Sequence, residues 1–162
     1  MYGAKYVGRF DGGTVPLGSF VAKASEVITK GDWLSIDTTG LVDVAGADEL
    51  LLGVANQTIT GDGTKKVEVI MAMPGTKFLM DNDNDTETFA VGDQGEFHAI
   101  IGTTGAQLIN TNSDSEAPSN TVNQLLCLEY NPQGFAGGIY DADTSIGLYT
   151  PVGTYFVSNY TE

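Results

Sequence analysis

The sequence predicts an all-β fold, a compact β-barrel or sandwich of short antiparallel strands with an extended N-terminal arm. Three observations carry that prediction. Between Gly31 and Leu79 the chain is a series of short apolar runs, each closed by a glycine-containing turn. Glycine is frequent, 21 of 162 residues, and is spread without a collagen-like period, while Thr, Val, Asn and Asp favour strands and turns over helices. No stretch carries a helical apolar stripe longer than about two turns. Nor does any unit of roughly 20–50 residues repeat, which argues against a solenoid or propeller. The length suits one domain with a real core. The expected division is an arm over 1–16 and a single β domain over 17–162.

The arm reads YGAKYVGRFDGGTVP after the first Met. Tyr2, Tyr6 and Phe10 recur every fourth residue, with Lys5 and Arg9 among them. Gly12-Gly13 and Pro16 break any regular element. Two readings stand side by side, a frayed terminus and an anchoring arm that orders on a partner. Three aromatics this close together are unusual for disordered chain.

Ser19 to Lys23 is the first strand expected inside the domain. Val27-Ile28 leads into a turn at Lys30-Gly31-Asp32. Trp33 to Asp37 follows, and Thr38-Thr39-Gly40 returns the chain into Leu41 to Val44 as its hairpin partner. Trp33 suits the core or a subunit contact better than a sugar-stacking surface. Leu50 to Thr60 reads as one long strand, with Gly53 marking a bulge or a close backbone approach. Gly61-Asp62-Gly63 is a tight hairpin signal into Lys65 to Met73. That strand is apolar on both faces apart from Glu68, so it belongs inside a sheet. Pro74-Gly75 turns the chain into Thr76 to Met80. Glu96 to Ile101 alternates, placing Phe97, Ala99 and Ile101 inward and Glu96 and His98 toward solvent. Ala106 to Ile109, Thr121 to Tyr130, Gly147 to Tyr149 and Thr154 to Tyr160 complete the set. Tyr149, Tyr155, Phe156 and Tyr160 suit a core or interface better than a ligand face.

The net charge is −14, and it is unevenly placed. Lys5, Arg9, Lys23, Lys30, Lys65, Lys66 and Lys77 are the only basic residues, all before Phe78 and set against nine acids there. The remainder holds twelve acids and no Lys or Arg. Such a surface repels phosphate, so neither nucleic acid nor an anionic membrane is expected as a partner. No apolar run approaches the roughly 20 residues of a membrane helix. The first residues lack the apolar core of a signal peptide, and synthesis in the cytoplasm is the expectation.

Residues for chemistry are sparse. His98 is the sole imidazole, and no G-x-S-x-G elbow, Walker A loop or G-x-G-x-x-G accompanies it. Cys127 is the sole cysteine, set in the apolar run Leu125 to Leu128, where a buried inert thiol is expected. One His and one Cys do not make a zinc site. The one segment with a metal rationale is DNDNDTE. Asp81, Asp83 and Asp85 have the alternate spacing of an oxygen-rich calcium loop, but Thr86 and Gly92 stand where that loop needs Gly and Glu. The competing reading is a solvated acidic turn whose side chains cap their own backbone. No other cofactor is expected.

Three runs carry a resemblance to a known family: Ile28-Thr29-Lys30-Gly31-Asp32-Trp33-Leu34, Leu51-Leu52-Gly53-Val54-Ala55, and Val67-Glu68-Val69 with Pro74-Gly75. Together they resemble the decoration (cement) proteins of tailed bacteriophage capsids over roughly Gly18 to Leu79. The resemblance implies a non-enzymatic β protein on the outer capsid surface of the virion. It would act as a homotrimer that stabilises contacts between major capsid protein subunits. It also implies a capsid-binding role for the arm residues Tyr2, Lys5, Tyr6, Arg9 and Phe10. The alternatives are another virion β-protein, such as a head fibre base or tail component, and a carbohydrate-binding module.

Overall fold

In the computed structural model of the protein, residues 3–47, 49–83, 91–115, 124–130, 146–152 and 154–155 are described. Among them are thirteen strands, one 3-10 turn at Val91–Asp93 and no α-helix. The strands of the first half are β1 (Lys5–Arg9), β2 (Leu17–Val21), β3 (Val27–Ile28), β4 (Trp33–Ile36), β5 (Val42–Val44), β6 (Gly53–Ala55), β7 (Ile59–Thr60), β8 (Lys66–Met71) and β9 (Thr76–Asp81). Those of the second half are β10 (Phe97–Ile101), β11 (Leu108–Ser115), β12 (Leu125–Tyr130) and β13 (Ile146–Pro151).

They form a six-stranded sheet in the order β1-β9-β13-β12-β10-β11, a five-stranded sheet in the order β2-β8-β6-β4-β5, and the pair β3-β7. All of these strand pairings are antiparallel. The arrangement is a sandwich and not a closed barrel. Alternation along the five-stranded sheet explains why. Trp33 and Val54 point into a core shared with Phe78, Met80, Ile100, Leu125 and Tyr149 of the six-stranded sheet. Their neighbours Leu34 and Ala55 point the other way, into a second core with Ile28, Val67 and Val69. The five-stranded sheet is therefore covered on both faces, and each pleat feeds two cores.

Several expectations stand. The β4-β5 hairpin pairs Leu34 with Val44 and Ile36 with Val42. Its turn is held by Asp37 Oδ1, which accepts the N–H groups of Thr39 and Leu41. β8 lies between β2 and β6. Gly53 is a close approach: a Cβ there would sit 2.2 Å from the Ile70 carbonyl oxygen. Trp33 is fully buried, edge-on to Phe78, with Nε1 2.9 Å from Met80 Sδ.

Three expectations are corrected. Leu50 to Thr60 is not one strand, because β6 and β7 belong to different sheets. Polar contacts divert the chain between them: Thr58 Oγ1 accepts the Lys30 N–H at 2.9 Å, and Asn56 donates to the Glu68 carboxylate. Gly61-Asp62-Gly63 does not close a hairpin, since β7 pairs with β3 while β8 pairs with β2 and β6. Asp62 instead caps the local turn, accepting the N–H groups of Thr64 and Lys65 at 2.8 and 2.7 Å. His98 is fully buried rather than solvent-facing, and Ile101 is exposed. Burial does not alternate along β10: His98, Ala99 and Ile100 are buried in succession, with Phe97 half-buried and Ile101 exposed, because the strand lies inside its sheet between β11 and β12.

Candidate docking face

β1 begins the six-stranded sheet as an outer strand, paired with β9 through Lys5↔Leu79 and Tyr6↔Phe78. The expected arm is thus largely docked on its own domain. Tyr6 supplies the reason: its ring packs edge-on to Phe78 at 5.8 Å against the shared core, removing apolar surface that a free arm would leave in water. Backbone bonds fix the entry, with the Gly3 N–H on the Gln107 carbonyl and the Ala4 N–H on the Gly31 carbonyl. At the far end the Phe10 N–H donates to the Gly75 carbonyl.

The other arm residues differ in their surroundings. Arg9 pairs with the Asp11 carboxylate, holding that carboxyl below its usual range. Phe10 is 62% exposed, with Lys77 Nζ 5.3 Å from its ring centroid. Lys5 is exposed and forms no ion pair among the described residues. Tyr2 lies outside the described residues.

A cleft of about 580 Å³ opens where the start of β1, the start of β2 and the Lys30-Gly31 turn converge. Val54, Ala55 and Ile70 floor it, Tyr6, Val15 and Leu17 add apolar wall, and Lys5, Lys30 and Asn56 supply the polar groups. Among the described residues no Asp or Glu lines it. In a chain with 21 acids and 7 bases, this is a locally positive recess on a negative molecule. Nothing in the sequence singled out Lys30, Asn56 or Leu17 for it. They meet only because β1 and β2 are outer strands of different sheets, a tertiary relationship that local spacing does not encode.

The Lys30-Gly31-Asp32 turn behind the cleft is anchored by a buried carboxylate. Asp32 Oδ2 accepts the Thr29 N–H at 2.8 Å and the Thr104 hydroxyl at 2.7 Å, and Oδ1 accepts the Gly105 N–H at 2.7 Å. Three charge-assisted bonds satisfy an anion that burial would otherwise penalise.

The other candidate residues do not build a reactive constellation among the described residues. Asp81 is the buried last residue of β9, in register with Ile146, so the acidic run starts inside a strand. Asp83 follows, and Asp85 lies outside the described residues. No group of three His, Cys, Asp or Glu side chains suited to an ion occurs among the described residues. His98 stacks edge-on to Tyr149 at 6.2 Å, and the Tyr149 hydroxyl donates to Asn82 Oδ1 at 2.7 Å. Burial pushes the Cys127 thiol up to about 12, assisted by the charge of Asp93, so it carries no thiolate at neutral pH. Tyr155 is partly exposed and its hydroxyl donates to the Ile36 carbonyl at 3.0 Å, while Phe156 and Tyr160 lie outside the described residues. No described helix is long and apolar enough to cross a membrane. The chain matches no protein-family model, no curated protein and no solved structure.

Proposed function

We propose that this chain is a non-enzymatic capsid decoration protein, seated on the outer surface of a virion and bridging major capsid protein subunits as a homotrimer. The observation that carries this reading is the outer strand β1, with Lys5 exposed on it and Phe10 standing 62% exposed at its end. An outer strand with no second strand beside it among the described residues, flanked by an exposed aromatic and a cation, suits attachment to another protein. The acid-rich remainder suits an outward face, where like charge keeps free copies apart before assembly. Many identical weak clamps, each bridging two subunits, would raise the force needed to separate them by avidity.

Cryo-electron microscopy of the source particles tests this directly. The expected result is density for this chain on the outer shell, with β1 and Phe10 against the capsid protein. Density confined to a vertex or tail would favour a fibre base or tail component instead. Absence from particles would overturn the virion assignment.

A further inference from the structure

We infer that the cleft between β1 and β2 is a binding site for a short, extended, acidic segment of a partner protein. The inference deepens the decoration reading, on which it rests for the source of that partner. Lys5 and Lys30 both line the cleft, and among the described residues neither has an acidic partner and no acid shares the lining. By contrast Lys23, Lys65 and Arg9 are all held by nearby carboxylates. Of the four lysines with no carboxylate partner among the described residues, Lys5, Lys30, Lys66 and Lys77, two meet at this recess. The wall between them is apolar, and Leu17 is 52% exposed there. A strand whose side chains alternate between carboxylate and aliphatic satisfies both features, the acids at Lys5 and Lys30 and the aliphatics over Tyr6, Val15 and Leu17.

Charge also limits the partner as a whole. The chain's −14 field repels a uniformly acidic protein and any polyphosphate at long range. The occupant is therefore a local acidic segment on a partner surface that is neutral or basic overall.

Fluorescence anisotropy of the full chain with a fluorescein-labelled ten-residue peptide of alternating Glu and Val or Thr tests the site. The expected result is saturable binding that weakens as salt rises. Lys5→Glu and Lys30→Glu should each weaken it by about fivefold, the upper end for a lost exposed ion pair, because the reversed charge also repels the peptide. Lys66→Glu makes the same charge change on an exposed lysine outside the cleft and should leave binding within about twofold. Matching circular dichroism and melting curves verify folding, and Lys→Gln variants at 5 and 30 repeat the measurement without new negative charge. Absence of saturation, equal binding of a peptide with Lys in place of Glu, or equal loss in Lys66→Glu would overturn the site. So would an oligomer that dissociates in the cleft variants, which would make a second copy the occupant. Capsid attachment unchanged in the Lys5→Glu/Lys30→Glu variant would remove this inference alone. Peptide binding without any capsid attachment would remove the decoration reading alone.

Discussion

The Trp33 backbone N–H donates to Gln107 Oε1 at 2.6 Å, joining β4 of the five-stranded sheet to the residue that precedes β11 of the six-stranded one. The same amide donates from Nε2 to the Ala45 carbonyl at 2.9 Å. Gln124 repeats the device, accepting the Ile100 N–H and donating to the carbonyls of Gly46 and Glu49. Two buried glutamines thus serve backbone groups at the sheet junction that have left their own ladders. Gln107→Leu keeps the volume but orphans a buried donor and a buried acceptor. The expected loss is about 2–4 kcal/mol of stability. Urea unfolding should register it as a lower midpoint with an unchanged m-value.

Asp32 plays the corresponding role for the turn behind the cleft. Asp32→Ala strips the acceptor from the Thr29 and Gly105 amides and from the Thr104 hydroxyl. A cost of about 3 kcal/mol is expected, because hydrogen bonds to a charged acceptor are the strong ones. Hydrogen exchange at the Gly105 amide should accelerate more than exchange within β12. A uniform change across both would mean the carboxylate does not anchor this loop locally.

The legible part of the fold was the part governed by local rules. The β4-β5 hairpin followed from a polar turn between two apolar runs, and the interior placement of β8 from its two apolar faces. The Gly53 approach and the burial of Trp33 and Cys127 were likewise readable from residue type in context. What escaped was set by tertiary choice. Gly61-Asp62-Gly63 has hairpin chemistry, yet β7 and β8 leave it for different sheets. The polar and apolar residues of β10 alternate in sequence and promise one solvated face, yet His98, Ala99 and Ile100 are all buried in this interior strand. Of the docking face, Lys5, Tyr6, Arg9 and Phe10 were visible as an aromatic and basic cluster. Their docking as β1 was not, because Tyr6 meets Phe78 only through long-range pairing.

Cys127 offers a direct probe of core opening. Its side chain is sealed and its thiol pushed up to about 12 by desolvation first and the Asp93 charge second. Native protein at pH 8 should therefore react with a disulfide reagent only at the rate at which the core opens. Full reaction is expected once the chain is unfolded in denaturant. Rapid stoichiometric labelling of native protein would contradict the packing of β12 on β13.

Two turn carboxylates contribute to the acid limb of stability. Asp37 is lowered from 3.8 to about 2, first by the Thr39 hydroxyl. Asp62 is lowered from 3.8 to about 2, first by the Lys65 amide. Because both native values lie below the unfolded ones, the unfolded chain binds more protons between about pH 4 and pH 2. Their contribution is present above that window and is lost as pH falls through it. Melting temperature should drop across this range with a shallower slope in Asp62→Asn, which has no proton to take up. An unchanged slope in that variant would show that Asp62 does not carry its share.

Gly53 and Gly40 separate two reasons for glycine in this fold. At Gly53 a methyl group would lie 2.2 Å from the Ile70 oxygen, 2.6 Å from Val69 Cγ1 and 2.9 Å from Met71 Cα, so β6 and β8 would have to part. At Gly40 nothing lies within 4 Å, but φ is +81°. Gly53→Ala is therefore expected to cost about 1–3 kcal/mol or more through overpacking against backbone that cannot yield. Gly40→Ala should cost about 1–2 kcal/mol through backbone strain alone. Asparagine discriminates between the two causes, since it tolerates the left-handed region but is larger than alanine. Gly40→Asn should recover part of the melting temperature lost in Gly40→Ala, whereas Gly53→Asn should fall below Gly53→Ala. The reverse order at Gly53 would mean that β6 and β8 can separate without penalty, and the ladder between Val54 and Ile70 would not be the rigid floor on which the cleft is built.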